Sequence, residues 1–338
     1  VCAMTNEVDV RENDILKIDR ELLSLLLFDH TTRNNIFWAT DNYIKLGKGF
    51  LSDDEITIER VTGEYGRLVK PRVKKTKAEQ IARVRDKAEV FTPSWICNSQ
   101  NNLIDEAWFG RKDVFNTEIT DKDGNHTWLE NTDKITFPIG KTWKDYVRDN
   151  RLEITCGEAP YIVSRYDTTT GKQIPVEKRI GLLDRKLRVI NENTDNTGEW
   201  LEAAQDAYKS TYAFEWQGDN LLLAREAMLF TFIDYYKHKF GKKPLIKSMK
   251  YIAYIVSWNV WQMDGLKGVV PNSCKNNVEM TENTLFGEEK VMTYCNGCQN
   301  DNIRTHNGIY CLIKDWRAKD PSTGSLGKKI RYIDLIKQ

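Results

Sequence analysis

The spacing of apolar residues along the chain switches between helical and strand-like patterns. Within residues 15–28, Ile15, Ile18, Leu22 and Leu25 recur on one stripe, and this spacing predicts an amphipathic helix. Further helices are predicted over residues 94–108, 199–208, 221–235 and 246–263. Helices are therefore expected in both halves of the chain.

Short runs of β-prone residues lie among these helices. Residues 151–155, 212–216 and 309–314 predict strands, and the first of them runs into a turn at 156–158. Because the strands alternate with long helical segments, the second half predicts βαβ units and a mainly parallel sheet. Across residues 41–70, glycines interrupt short β-prone runs, which predicts a hairpin-rich module near the N-terminus.

The order of these segments predicts two domains within the 338 residues. Residues 1–87 are expected to form a helical and β-stranded module, and residues 88–338 an α/β domain. Residues 116–136 are polar and predict a loop with a turn at Asp123-Gly124. The polar stretch 272–308 predicts an insertion that is rich in cysteine.

Composition excludes several classes of protein. The 50 Lys and Arg residues balance 49 Asp and Glu residues, so the chain is not a polybasic tail, and this balance says nothing for or against a local DNA-binding face. Hydrophobic residues make up 40% of the chain, enough to build a core and to exclude global disorder. No apolar stretch reaches the roughly 20 residues of a membrane span. With no recognisable secretory leader, we expect a soluble, cytoplasmic protein without membrane partners.

One segment is strongly basic. Residues 70–87 contain eight Lys or Arg residues and two acidic residues. On duplex DNA such a run neutralises phosphates and releases counterions, whereas in a protein without such a partner it forms a solvated helix face. The candidate DNA contacts are Lys70, Arg72, Lys74, Lys75 and Lys77.

The cysteines predict either a metal site or free thiols. Seven cysteines in a chain of this size without a secretory leader favour reduced thiols over a disulfide framework. Cys295 and Cys298 form a CxxC pair, and Cys311 follows in the same region. These three thiolates, with either Cys274 or His306, would complete a tetrahedral structural zinc site. The alternative is a loop with unligated cysteines.

Candidate ligand-binding residues stand at the ends of the three predicted strands. In open α/β sheets, ligands bind beyond the carboxyl ends of the strands, where an acidic residue accepts hydrogen bonds from ribose hydroxyls. Glu215 and Trp216 end one strand and are suited to a ribose and a purine. Asp315 follows another and is suited to an adenine amino group. Small residues after Glu153 would let the backbone approach a bulky cofactor.

Taken in order, these motifs resemble a known family. Phe91-Thr92-Pro93, the segment 153–162, Glu215 and Asp315-Trp316 follow the order seen in N6-adenine DNA methyltransferases of restriction–modification systems. In particular, the chain resembles the proteins known as restriction endonuclease subunit M, most strongly between Lys87 and Asp264.

The resemblance implies a Rossmann-like α/β fold with a mainly parallel sheet and S-adenosylmethionine bound across its strand ends. It implies the modification subunit of such a system, acting on double-stranded DNA beside a companion subunit or restriction endonuclease. It also implies a set of cofactor-binding residues. These are Phe91, Thr92, Pro93, Glu153, Thr155, Gly157, Glu158, Pro160, Glu215, Trp216, Asp315 and Trp316.

The chain departs from the family pattern in two respects. The segment between Gly157 and Glu215 exceeds the about 30 residues of a compact βαβ unit, which predicts an insertion at 164–210. The catalytic motif, an Asn or Asp followed by two prolines and an aromatic residue, is also missing. The chain has eight prolines, no two of them adjacent, and the nearest imitation, Asp320-Pro321, lies in a predicted surface turn. No catalytic residue is therefore assigned.

Three hypotheses follow from these observations. The first is a DNA adenine-N6 methyltransferase subunit. The second is a non-catalytic DNA-binding or cofactor-binding subunit, which needs a partner chain that carries the catalytic motif. The third is a zinc-containing interaction protein whose sheet binds no ligand.

Overall fold

The computed structural model describes residues 11–87, 92–285 and 287–336. Its α-helices are α1 (Glu12–Ile18), α2 (Arg20–Leu27), α3 (Ile58–Val61), α4 (Lys77–Lys87), α5 (Ser94–Phe109), α6 (Trp143–Arg148), α7 (Leu182–Asn193), α8 (Thr197–Lys209), α9 (Gly218–Phe240), α10 (Ile246–Asn259) and α11 (Asn296–Asn300). Its strands are β1 (Asn116–Thr120), β2 (His126–Glu130), β3 (Arg151–Glu153), β4 (Thr211–Glu215), β5 (Val260–Gln262), β6 (Val278–Thr284), β7 (Gly287–Thr293), β8 (Leu312–Lys319) and β9 (Leu326–Arg331).

Three parallel strands form the central sheet, in the order β3-β4-β5. Each crossover between them contains two helices, α7 and α8 in the first and α9 and α10 in the second. The fold is therefore mixed α/β with a parallel sheet, as the alternation of strands and helices predicts. The predicted insertion at 164–210 contains α7 and α8, of which the sequence pattern predicts only α8.

The two faces of the sheet pack against different layers. Ala213 and Val260 point into the main core, which the helices dominate. Phe214 and Trp261, one position further along, point into a second cluster that also contains Ile313 of β8. This division follows from the alternation of side chains along a strand. The helices thus cover one face, and the C-terminal strands cover the other.

The third predicted strand does not join the parallel sheet. After β5 the chain folds back, so that Val269 bridges to both Asp264 and Tyr310 in antiparallel fashion. Residues 312–319 then form β8, which pairs antiparallel with β9. The predicted strand near 309–314 does form, but the prediction that it belongs to the parallel sheet is wrong.

Three other predicted elements differ in the structure. The helix at 15–28 is two helices, because Asp19 is extended and its carboxylate caps α2 at the Glu21 N–H. The helix at 246–263 ends at Asn259, where β5 begins. Residues 41–70 contain the short helix α3 and 3-10 turns in place of hairpins.

The loop predicted at 116–136 contains a hairpin, because β1 and β2 flank the predicted turn. Its side chains are mostly polar or exposed, so the apolar pattern gives no strand signal there.

The main core is a single cluster of buried side chains whose members range from Ile15 to Val260 in the sequence. Residues on both sides of position 87 therefore contribute to it. Pro93 precedes α5, in agreement with the predicted helix start. Each helix in the described ranges is too short or too polar to cross a bilayer.

Candidate functional site

A cavity of about 920 Å³ lies at the carboxyl ends of β3 and β4. This volume is typical of small-molecule and cofactor sites. Eight of the residues that the sequence assigns to cofactor binding line it: Thr92, Glu153, Thr155, Gly157, Glu158, Pro160, Glu215 and Trp216. Segments that are far apart in the chain, before α5, after β3 and after β4, therefore meet at one place.

The turn after β3 forms one wall of this cavity. Thr155, Gly157 and Ala159 all have positive φ angles, of 50°, 53° and 59°. A β-branched residue such as Thr155 adopts this conformation only at a cost in strain, and such strain is concentrated at functional sites. A Cβ atom added at Gly157 would meet no atom within 4 Å. The backbone of the turn thus borders open space that a ligand can reach.

Glu215 connects the ends of β3 and β4. Its carboxylate accepts hydrogen bonds from the Gly157 N–H at 2.9 Å and from the Gln217 N–H at 3.1 Å. Burial raises the pKa of Glu215. Since each carboxylate oxygen has two lone pairs, Glu215 keeps the capacity to accept hydrogen bonds from a ligand.

Three buried oxygen atoms of lining residues have no hydrogen-bond partner among the residues that the structure describes: Glu153 Oε2, Asn101 Oδ1 and Asn220 Oδ1. Burial raises the pKa of Glu153 well above its ordinary value, and the nearby Glu215 carboxylate adds to the increase. Buried polar atoms are normally paired, so unpaired acceptors around one cavity indicate a ligand that brings donors.

The charged side chains that line the cavity are all acidic. They are Glu153, Glu158 and Glu215, and no Lys, Arg or His of the described residues joins them. Positive charge on a ligand would stabilise the ionised forms of Glu153 and Glu215, whose pKa values burial raises, whereas the negative charge of a phosphate-rich ligand would oppose their ionisation. The cavity is therefore suited to a ligand that carries positive charge.

Glu158 attaches the basic segment to the cavity. One carboxylate oxygen accepts the Arg72 N–H at 2.6 Å, and the other accepts the Tyr166 hydroxyl at 2.6 Å. Glu158 is itself buried. It therefore holds the start of the basic segment beside the sheet edge.

The five candidate DNA contacts differ in exposure. Lys74 and Lys77 are exposed, Lys70 and Arg72 are half-buried, and Lys75 is buried. The Lys75 ammonium group thus does not face the solvent from which DNA would approach.

Further along the same segment, Arg83 is buried in an ion pair with Asp219, and it also donates to the Tyr43 hydroxyl. Against the opposing effect of burial, the charges of Arg83 and Lys75 lower the pKa of Asp219 to about 2. Part of this basic segment is therefore buried in the interior of the fold.

Asp315 and Trp316 lie elsewhere. They belong to β8 and line a second cavity, of about 280 Å³, together with Tyr212 and Tyr332. The Asp315 carboxylate accepts the backbone N–H groups of Arg317 and Ala318. Gly157 and Glu215 thus meet as predicted, whereas Asp315 does not join them, because β8 is not a strand of the parallel sheet.

Of the two other residues of the predicted cofactor set, the structure describes Pro93, which is not among the residues that line the cavity. Pro93 is the residue that precedes the first turn of α5, next to Thr92. Phe91 lies outside the described residues.

Cys274, Cys295, Cys298 and His306 form a candidate metal centre. Their ligand atoms all lie within 4.8 Å of one another. The Nδ1 atom of His306 is 3.6 Å from Cys274 Sγ, 3.3 Å from Cys295 Sγ and 3.6 Å from Cys298 Sγ. Three thiolates and one imidazole are a ligand set that zinc prefers in structural sites. This group can therefore bind a metal such as zinc.

Cys311 is separate from this cluster. It is buried, and its thiol donates to the Gln262 carbonyl oxygen at 3.3 Å. The sequence leaves open whether Cys274 or His306 is the fourth ligand. Both of them belong to the cluster, whereas Cys311 does not. The reason is that residue 311 already lies next to β5, in the second core cluster.

Several lining residues lie outside the set of residues that the sequence pattern predicts. Gln100, Asn101 and Ile104 lie on α5, and Gln217 and Asn220 follow Glu215 and Trp216 at the start of α9. The signal in the sequence is proximity along the chain, since both groups stand within 15 residues of a predicted site residue.

Compared with known proteins, the chain matches no family model, no curated protein and no solved structure. The chemistry of the cavity and of the metal centre is therefore the basis for any functional conclusion.

Proposed function

We propose that the cavity at the sheet edge binds S-adenosylmethionine, and that the chain is the modification subunit of a DNA adenine-N6 methyltransferase. One observation carries this proposal. Thr92, the turn at Gly157 and Glu215 line a single cavity whose charged side chains are all carboxylates. The order of these residues in the chain is the order that the family resemblance implies.

The chemistry of S-adenosylmethionine fits this cavity. The cofactor carries a positive sulfonium and a positive ammonium group, which favour a site lined by Glu153, Glu158 and Glu215. Its ammonium group, ribose hydroxyls and adenine amino group supply hydrogen-bond donors. The unpaired acceptors of Glu153, Asn101 and Asn220 would receive such donors. Dinucleotides fit less well, since their phosphates are anionic.

Separate residues are suited to each part of the cofactor. Glu215 would accept hydrogen bonds from the ribose diol, and Trp216, whose indole N–H is held by the Ala39 carbonyl, would lie against the adenine. Thr92 and the turn at 155–160 would enclose the methionine portion. When bound, the cofactor supplies a methyl group on a positively charged sulfur. The target adenine must leave the DNA stack to reach that group, and transfer depends mainly on positioning.

A second candidate function is a cofactor-binding subunit whose catalytic residues come from another polypeptide. The lack of two adjacent prolines in the chain favours it. In addition, the outer edge of β3 pairs with no strand of the described residues. Unpaired strand edges are sites where another chain can add a strand.

Calorimetric titration with S-adenosylmethionine tests cofactor binding directly. We expect saturable binding to the chain, and none with ADP, which shares the adenosine but carries phosphates. Glu215→Gln should weaken binding by about 10- to 100-fold, because a hydrogen bond to a charged group contributes about 1.5–3 kcal/mol. The matched control is Glu64→Gln, which makes the same change at an exposed position far from Glu215 in the sequence. This variant should bind S-adenosylmethionine with wild-type affinity.

A folded Glu215→Gln protein with wild-type affinity would remove Glu215 from the site, and a chain that prefers ADP would overturn the assignment of the cavity. Transfer of labelled methyl groups to mixed-sequence duplex DNA then separates the two candidate functions. Activity of the isolated chain supports the first, and activity only with a companion subunit supports the second.

We further propose that the Cys3His cluster holds structural zinc. Purified protein should contain one zinc ion per chain. Cys298→Ala should lose the metal and lower the unfolding temperature, since metal binding to such sites is coupled to folding. Cys311→Ala should retain the metal, because its thiol lies outside the cluster. Metal analysis that finds zinc in both variants, or in neither, would contradict this site.

A further inference from the structure

The C-terminal strands β8 and β9 form a two-stranded antiparallel ribbon with a strong positive charge. Residues 312–331 contain six Lys or Arg residues and two Asp residues. Five of the cationic side chains are exposed: Arg317, Lys319, Lys328, Lys329 and Arg331. The charge of the ribbon is therefore largely on its surface.

The two faces of the ribbon differ in chemistry. The cross-strand pair Ile313 and Ile330 packs with the second core cluster. On the other face, Lys314 stands directly opposite Lys329. Like charges at directly opposite positions destabilise a strand pair.

The aromatic face of Trp258 offsets part of this repulsion. The two ammonium groups lie 5.4 and 5.7 Å from its ring centroid, within range of a cation–π interaction. A bound anion would relieve the repulsion that remains between the two ammonium groups.

The other long ribbon of the chain has the opposite charge. Strands β6 and β7, over residues 278–293, contain four glutamates and one lysine. Both ribbons adjoin the metal centre in the chain, β6 and β7 before Cys295 and β8 after His306. Positive charge is thus specific to the β8–β9 ribbon and is not a general property of the C-terminal region.

We propose that the β8–β9 ribbon is a docking surface for duplex DNA. This inference rests on the proposed function, in which DNA is the substrate, and it assigns the surface that binds the DNA. The major groove of DNA admits a two-stranded ribbon, and Lys and Arg side chains bind the phosphates on either side of the groove. The exposed cations supply this charge complementarity, whereas the segment 70–87 directs Lys75 and Arg83 inward.

Salt-dependent DNA binding tests the proposal. The ribbon variant is Lys319→Gln, Lys328→Gln and Lys329→Gln combined. Its matched control is Lys242→Gln, Lys243→Gln and Lys247→Gln, three exposed lysines outside the ribbon. Both variants remove the same net charge. Fluorescence anisotropy with a mixed-sequence duplex is recorded across a range of salt concentrations, and each variant is also titrated with S-adenosylmethionine.

We expect the ribbon variant to bind duplex at least about tenfold more weakly. Its log–log salt slope should fall by about 2 to 3, because each phosphate that a lysine neutralises adds about 0.9 to the slope. The control should keep the wild-type slope. Equal weakening in both variants, or unchanged binding by the ribbon variant, would overturn the proposal, as would ribbon-dependent binding to anionic vesicles without binding to DNA. Cofactor binding is read separately, so its failure counts against the proposed function and leaves the ribbon result intact.

Discussion

The two basic regions of the molecule, the segment 70–87 and the β8–β9 ribbon, use similar charge in different ways. The segment has the larger excess of cations in sequence, eight against two acids. In the structure, however, its Arg83 neutralises the buried Asp219, and its Lys75 is also buried. The ribbon has six cations, and five of them are exposed. A run of charge in a sequence therefore states how much charge is present but not where it points.

The physical reason lies in the acids near the sheet edge. Asp219 follows β4 and is almost inaccessible, and a buried carboxylate needs a partner to remain charged. The nearby basic segment supplies that partner. In the ribbon, by contrast, it is the apolar pair Ile313 and Ile330 that packs with the core, and five of the six cations stay exposed.

Breaking the Arg83–Asp219 ion pair tests the structural role of the basic segment and should have the largest effect. Arg83→Ala leaves the Asp219 carboxylate buried without its main counterion. We expect a decrease of about 3–5 kcal/mol in the free energy of unfolding, measured by chemical denaturation. The exposed Lys77, changed to Ala, should alter stability by less than about 0.5 kcal/mol. Similar small decreases in both variants would show that the segment is only a solvated surface.

The pH dependence of stability tests the packing of the ribbon. His30 stacks on Trp258, with ring centroids 3.8 Å apart, and its Nε2 lies 2.9 Å from the Ser257 hydroxyl. Burial, followed by the positive charges of Arg225, Lys314 and Lys329, lowers the pKa of His30 to about 3. The two lysines belong to the ribbon, so His30 reports on the contact between the ribbon and α10.

The sign of the pH dependence follows from this lowered pKa. In the unfolded chain His30 takes up a proton near its ordinary pKa of 6.5, whereas in the folded chain it stays neutral down to about 3. Its contribution to stability is complete above pH 6.5 and is lost as the pH falls toward 3, by up to about 1.4 kcal/mol per pH unit.

Between pH 6.5 and pH 5 the wild type should therefore lose up to about 2 kcal/mol relative to His30→Gln, which lacks the titrating group. Denaturation curves at the two pH values provide the measurement. Parallel pH dependence in the two proteins would mean that the ribbon and α10 do not hold the imidazole in its neutral form.

The part of the candidate site that borders β3 and β4 could be predicted from the sequence, because its residues stand at or just after strand ends. Glu153 and Glu215 end β3 and β4, and parallel strands end at the same edge of a sheet. Asn101 and Asn220 could not be predicted in this way. They lie on helices, and only the packing of α5 and α9 against the strand ends turns their side chains toward the cavity.

Asp315 is the clearest case in which local pattern is insufficient. The residues before it predict a strand, and they form one. Which strand it pairs with depends on contacts between residues distant in the chain, here the antiparallel pairing with β9 and the turn back at Val269. The same dependence decides the metal ligands, because spacing alone does not separate Cys311 from Cys274 and His306.

By itself, the sequence determined β3 and β4, the helices α8, α9 and most of α10, the parallel α/β character and the chemical types of residue at the ends of β3 and β4. These depend on local propensity and on the period of the apolar residues. The tertiary structure alone decided which charges are buried, which cysteines surround a metal and which strand ends share a cavity. Those outcomes depend on long-range packing, which brings together residues such as Arg83 and Asp219 that no local pattern connects.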